Sequence, residues 1–192
     1  MPQNIPEIVI LSDCSKEYKV GFELYKAYTK DNDFESPKDI HPTNTKKIGD
    51  KEYKIHFFAI QDSYWPAISN ICKFCNGAIF AIDMENYTEE GGVEFIKEWL
   101  VNLDDLDKDD MKKVIVGISQ TDSPKDNNGK EKILELSKEK GIEDVFFFKI
   151  TETDKINEAF QAMFNLVDDS KIDESNKDDD EMEEYLDKYK NF

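Results

Sequence analysis

The amino-acid sequence predicts an α/β domain: a mostly parallel six-stranded sheet in three layers, with helices on both faces. Three observations carry this. Short, unbroken apolar runs (Ile8-Val9-Ile10-Leu11, Ala78-Ile79-Phe80-Ala81-Ile82 and Val114-Ile115-Val116) have the make-up of strands buried on both sides. The segments between them place apolar residues at helical spacing. One pair of strands alone carries a hairpin signal, around Gly49-Asp50.

The elements follow in order. Ile5 to Leu11 reads as the first strand, and Ser12-Asp13-Cys14-Ser15 breaks it with capping residues. Phe22, Tyr25 and Tyr28, with Val20, Leu24 and Ala27, mark the first helix. Asp31 to Thr45 is polar, holds Pro37 and Pro42, and reads as a loop. Lys46 to Ile55 alternates about the Gly-Asp turn, and its second arm continues through Phe57, Phe58 and Ile60. Trp65, Ile68, Ile71, Cys72 and Cys75 share one helical face. Gly77 to Met84 is a central-strand pattern. Thr88 caps a helix whose apolar face is Val93, Ile96, Trp99, Leu100 and Leu103. The acidic stretch 104–110 is a loop before the strand Val114 to Gly117. Ile133, Leu134, Leu136 and Ser137 mark a helix that ends at Gly141, a C-cap residue. Val145 to Phe148 is a last strand, and Ile156, Ala159, Phe160, Met163 and Phe164 a last domain helix. The order β-α-β-β-α-β-α-β-α-β-α requires right-handed crossovers and gives a parallel sheet with one antiparallel edge.

Composition bounds the function. The chain has 192 residues, 39% of them hydrophobic, enough for one packed domain. Its formal charge is −18, and all 25 basic residues are lysines. That charge repels a phosphate backbone and anionic membrane, so no nucleic-acid partner is expected. Without arginine there is no bidentate phosphate clamp and no arginine finger from this chain. No apolar run reaches membrane-spanning length, the start lacks a signal-peptide pattern, and Pro2 and the position of the last cysteine, Cys75, exclude the common lipid anchors. The expectation is a cytoplasmic protein with reduced thiols.

This element order has the shape of the small-GTPase domain, Rab-like in outline. Such a domain places its phosphate cradle, G-x-x-x-x-G-K-[ST], between the first strand and first helix, where glycines turn backbone N–H groups toward phosphate. Here residues 12–20 contain no glycine, and Glu17 adds negative charge. Lys19 could stand for the cradle lysine only with a one-residue slip, and Val20 then replaces the Mg²⁺-binding hydroxyl. Gln61 survives from D-x-x-G-Q, without the aspartate and glycine. Asp122 could serve N-K-x-D only with a shift, and Lys149-Ile150-Thr151 replaces S-A-K. Four motifs fail independently, which points to a pseudo-GTPase: a binding protein and not an enzyme, with no cofactor, no catalytic residue and no metal. Lys19, Gln61 and Asp122 remain the candidates if nucleotide binds.

On this skeleton the chain resembles the GTPase-like domain of the alpha- and gamma-adaptin-binding protein family. The residues that carry the resemblance are Ile8 to Ser15, Asp50 to Ile55, Asn76 to Asp83 leading to Trp99-Leu100, Val114 to Ser119, and Glu139 to Ile142. It covers roughly residues 7 to 167. The resemblance implies an assembly chaperone or accessory factor for clathrin adaptor complexes in vesicle trafficking, binding adaptin large subunits and sigma small subunits. The family's C-terminal region supports self-association or handover. This chain has only a short acidic tail there.

Two further readings stay open: a divergent Rab-like small GTPase, and a GTPase-shaped structural subunit of a larger trafficking or ciliary assembly. Residues 1–167 form the expected domain and 168–192 an acidic tail of net charge −7. Within the tail Met182, Tyr185, Leu186, Tyr189 and Phe192 form one apolar helical stripe, which docks either on its own domain or on a partner. Tyr64-Trp65-Pro66 stands where a second switch region would lie, and Tyr64 and Trp65 are candidate partner anchors, with Trp65 as a cap on the core the alternative. Cys72-Lys73-Phe74-Cys75 is a C-x-x-C, but Cys14, His41 and His56 are scattered along the chain. The cysteines sit on the apolar face, so they read as buried structural thiols.

Overall fold

The computed structural model describes residues 5–13, 20–30, 43–60, 65–106, 108, 110–121 and 128–169, leaving out the side chains of 13, 58–60, 65–67 and 169. The strands are β1 (Glu7–Asp13), β2 (Thr43–Ile48), β3 (Lys51–Ile60), β4 (Gly77–Asp83), β5 (Lys112–Ser119) and β6 (Val145–Lys149). The helices are α1 (Val20–Thr29), α2 (Trp65–Cys72), α3 (Phe95–Asp104), α4 (Asn128–Lys140) and α5 (Thr153–Asp169), with a π-helical turn, Glu90–Glu94, leading into α3. The six strands form one sheet in the order β2-β3-β1-β4-β5-β6. Only β2 and β3 pair antiparallel; every other neighbour is parallel. The expected α/β architecture and its element order are therefore present.

Apolar side chains from alternate positions of each central strand fill two layers. Ile8, Ile10, Ile55, Phe57, Ile79, Ala81, Val114 and Val116 face α1 and α5. Val9, Leu11, Ala78, Phe80, Ile82 and Ile115 face α2, α3 and α4. Both faces are covered, so the middle of β1 (Ile8 to Leu11) and of β4 (Ala78 to Ile82) is apolar at every position, which is why they read as unbroken runs. In the first layer Tyr28 stacks on Phe160, ring centroids 3.7 Å apart.

Several boundaries differ from the expectation, each for a tertiary reason. Ser12 and Asp13 do not end β1. They pair with Ala59 and Ile60 of β3, and Ser12 also pairs with Ala81 of β4, so ladder bonds outweigh local turn preference. Ser12 still caps a helix, at long range: its Oγ accepts a hydrogen bond from the Gly21 N–H of α1, 3.2 Å away. Thr43, Asn44 and Thr45, read as loop, belong to β2 because they pair with His56, Ile55 and Lys54. The helix expected to reach Cys75 stops at Cys72, where N–H groups of Phe74 and Cys75 bond three residues back to Ile71 and Cys72. The helix after Thr88 begins with the π-helical turn, and Thr88 Oγ1 accepts from the Gly91 N–H, 3.1 Å away.

The punctuation glycines behave as the sequence predicts. Gly49 has φ +61° while Asp50 keeps an ordinary φ, the pattern of a type II′ hairpin turn between Ile48 and Lys51. Gly141 has φ +67°. The N–H of Ile142 bonds the Ser137 carbonyl at 2.8 Å and that of Gly141 bonds Lys138, a Schellman cap on α4.

Candidate functional site

The parallel strands all present their carboxyl ends to one edge of the sheet. The crevice outside those ends, at the strand where the order reverses, is the usual ligand position in open α/β sheets. Here that strand is β1: α1 leaves it on one face, and the β3–β4 crossover passes over the other through α2. The described residues at this edge are mostly acidic or hydroxylic. Asp83 ends β4, and its Oδ1 accepts from the N–H groups of Glu85 (2.9 Å) and Asn86 (3.1 Å). The Glu85 carboxylate reaches across to the segment after β5. It accepts from the N–H of Gln120 (3.4 Å), the N–H of Thr121 (3.3 Å) and the Thr121 hydroxyl (2.9 Å). Two consecutive backbone N–H groups, the kind of donors that could bind an anion, are thus aimed at a side-chain carboxylate of the chain itself.

Lys19 lies in the connection leaving β1, Gln61 and Tyr64 in the one leaving β3, and Asp122 in the one leaving β5. The topology starts all three connections from strands that end on one side. Lys19, Gln61, Tyr64 and Asp122 themselves lie outside the described residues, as do Met182, Tyr185, Leu186 and Tyr189. Trp65 opens α2, and its side chain is likewise outside them.

The opposite, amino edge holds a polar cluster under the end of α2. Because Glu7 pairs with Lys54 and Val9 with His56, the side chains of Glu7, Lys54 and His56 share the α2 face. Glu7 Oε2 lies 2.7 Å from His56 Nε2, and Glu7 Oε1 lies 3.3 Å from Lys54 Nζ. His56 Nδ1 is 3.4 Å from Thr43 Oγ1. Asn76, next to β4, grips the Glu7 backbone twice: its Oδ1 accepts from the Glu7 N–H at 2.9 Å, and its own N–H donates to the Glu7 carbonyl at 2.7 Å. Cys75 joins them, with Glu7, His56 and Cys75 offering ligand atoms all within 4.8 Å of one another.

Electrostatics follow from burial. The His56 side chain is 0% exposed and that of Glu7 13%. Burial, the largest influence on His56, pushes its pKa down; the Glu7 hydrogen bond pulls the other way and does not win. His56 is therefore a neutral imidazole donating Nε2–H to Glu7. For Glu7 burial is the largest single influence and pushes up, but the hydrogen bond and charge of His56, then the charge of Lys54, together outweigh it and hold the carboxyl below its ordinary value as it titrates. Burial lifts the Cys72 thiol to about 12 and the Cys75 thiol well above its ordinary value. Such thiols are poor nucleophiles.

The expected burial of both cysteines is present. What sequence reasoning missed is the company of Cys75. His56 stands 19 positions away in the sequence, and Glu7 farther still. Only parallel pairing of β1 with β3 and β4 brings them together. The legible signal was a histidine and an acid at non-apolar positions of strands otherwise built for burial.

No protein-family model matches this chain, and no curated protein matches it.

Proposed function

We propose that this chain is a non-catalytic, small-GTPase-like binding domain, an assembly chaperone or accessory factor for clathrin adaptor complexes in the cytoplasm. The strand order, with β1 central and a single antiparallel hairpin at one edge, supports the small-GTPase-like reading. The observation that carries the non-catalytic reading is the Glu85 bridge. A carboxylate occupies the backbone N–H groups after β5, beside Asp83, at the edge where a nucleotide of three or four negative charges would have to sit. Like charges repel, so the acidic groups at this edge disfavour a bound triphosphate. A protein partner fits this edge better than a triphosphate does. The adaptor assignment rests on the resemblance over residues 7 to 167, and adaptin large and sigma small subunits are the partners it implies.

The test is purification without added nucleotide, followed by denaturation and chromatography of the released small molecules, alongside binding to recombinant adaptin and sigma subunits. No stoichiometric guanine nucleotide and a retained adaptor subunit are expected. Bound GDP would overturn the non-catalytic reading. Failure to retain either subunit, with ciliary or cytoskeletal proteins captured in their place, would move the protein to a structural role in another assembly. Among the described residues no helix is long and apolar enough to cross a membrane.

A further inference from the structure

We infer that the buried amino-edge cluster is a metal site, with Glu7, His56 and Cys75 as ligands to a single Zn²⁺ ion. The site is independent of the functional reading above, because it lies at the other end of the sheet.

The donor set is the first argument. A carboxylate oxygen, an imidazole nitrogen and a sulfur are the three ligand types zinc takes in proteins, and the mixture of hard and soft donors suits Zn²⁺ better than Mg²⁺ or Ca²⁺. These atoms already converge within 4.8 Å, and they come from three separate elements: the start of β1, the middle of β3 and the turn after α2. The surroundings are the second argument. Metal-binding histidines present their other ring nitrogen to an oxygen, and metal-binding carboxylates are held by a further hydrogen bond. Thr43 Oγ1 faces His56 Nδ1, and Lys54 Nζ holds Glu7 Oε1, which leaves Oε2 as the inward oxygen. Asn76 fixes the Glu7 backbone at two points and precedes β4 directly, so Cys75 is tied to the same frame.

The proton balance is simple. In the metal-free protein the Nε2–H of His56 donates to Glu7 and the thiol of Cys75 is protonated. On binding, the ring proton moves to Nδ1, toward Thr43, and the thiol proton leaves to solvent. One thiolate and one carboxylate then neutralise the ion's two charges, and Lys54 keeps its contact with the second carboxylate oxygen. The fourth position is left for water, which the partial exposure of Glu7 admits.

Cobalt is the probe. Reduced, metal-free full-length protein titrated with Co²⁺ should take up one equivalent, with a thiolate-to-cobalt charge-transfer band and the visible bands of a four-coordinate ion, both erased by Zn²⁺. Cys75→Ser and His56→Gln should each remove the charge-transfer band or weaken uptake at least tenfold, while Cys72→Ser leaves it intact. The inference is overturned if wild-type protein gives no such band, or if the band survives in Cys75→Ser. Should the variants not fold, wild-type protein decides alone: Zn²⁺ must raise the melting temperature of the metal-free chain, and an unchanged melting temperature overturns the site.

Discussion

Tyr53 shows how one side chain can join the hairpin edge to the last helix. Its hydroxyl donates to Asp168 Oδ2 at 2.9 Å, and Lys51 Nζ sits 2.8 Å from the same oxygen. Its ring packs on Phe164 with centroids 4.3 Å apart. Burial first, then the hydrogen bond to Asp168, lifts the phenol from 10.0 to about 12. The folded state thus keeps the proton to higher pH than the unfolded chain. The stabilisation is complete below pH 10 and is lost as pH rises through 12. Tyr53→Phe should cost about 1 kcal/mol at neutral pH, the usual net worth of one hydrogen bond, because the ring packing stays. It should also flatten the fall of the urea midpoint with rising pH in that alkaline range. Equal alkaline slopes in the two proteins would refute the assignment. Exposed ion pairs such as Lys97–Glu94 and Lys155–Glu158 carry far less, since solvent screens them.

At the scale of elements, α1 approaches the sheet closely at Gly21. A Cβ at Gly21 would lie 2.4 Å from Ser12 Cβ and 2.9 Å from the Phe57 ring. Two effects compete in Gly21→Ala. Helix propensity favours alanine by about 1 kcal/mol. Overpacking against Ser12 Cβ, which moves only with its strand, and against the buried Phe57 ring costs about 1–3 kcal/mol, and lengthens the Ser12–Gly21 hydrogen bond as well. Overpacking should win, and urea unfolding should show a net loss of stability; a stabilised variant would contradict the close approach. The same device recurs across the sheet, where the Tyr87 ring lies between Gly92 of the π-helical turn and Gly129 of α4. No alternation or spacing in the sequence announces these approaches. The glycines were visible, but the ring each one faces comes from a different element.

For the whole molecule, charge is the dominant property. The acidic tail holds −7 of the −18, which leaves a folded domain that is itself strongly acidic. Such a field speeds encounter with a basic protein surface and makes association salt-dependent. On the proposed function, the tail's stripe of Met182, Tyr185, Leu186, Tyr189 and Phe192 would add an apolar anchor to that charge. Deletion of residues 179–192 should weaken binding to an adaptor subunit at least several-fold, more so at low salt, while the melting temperature stays within about 2 °C. A large fall in melting temperature with unchanged affinity would instead place the stripe on its own domain.

The sequence by itself determined the α/β class, the order of elements, the lone hairpin with its Gly49 turn, the cap at Gly141 and both apolar faces of the sheet. These are local properties: side-chain period and backbone preference are written in neighbouring residues. Tertiary structure alone decided that Ser12 and Asp13 extend β1, that Glu85 seals the backbone after β5, and that Glu7, His56 and Cys75 meet. Each of these depends on which strands lie side by side and in what register. Pairing energy is shared between distant segments, so no single stretch of the chain records it.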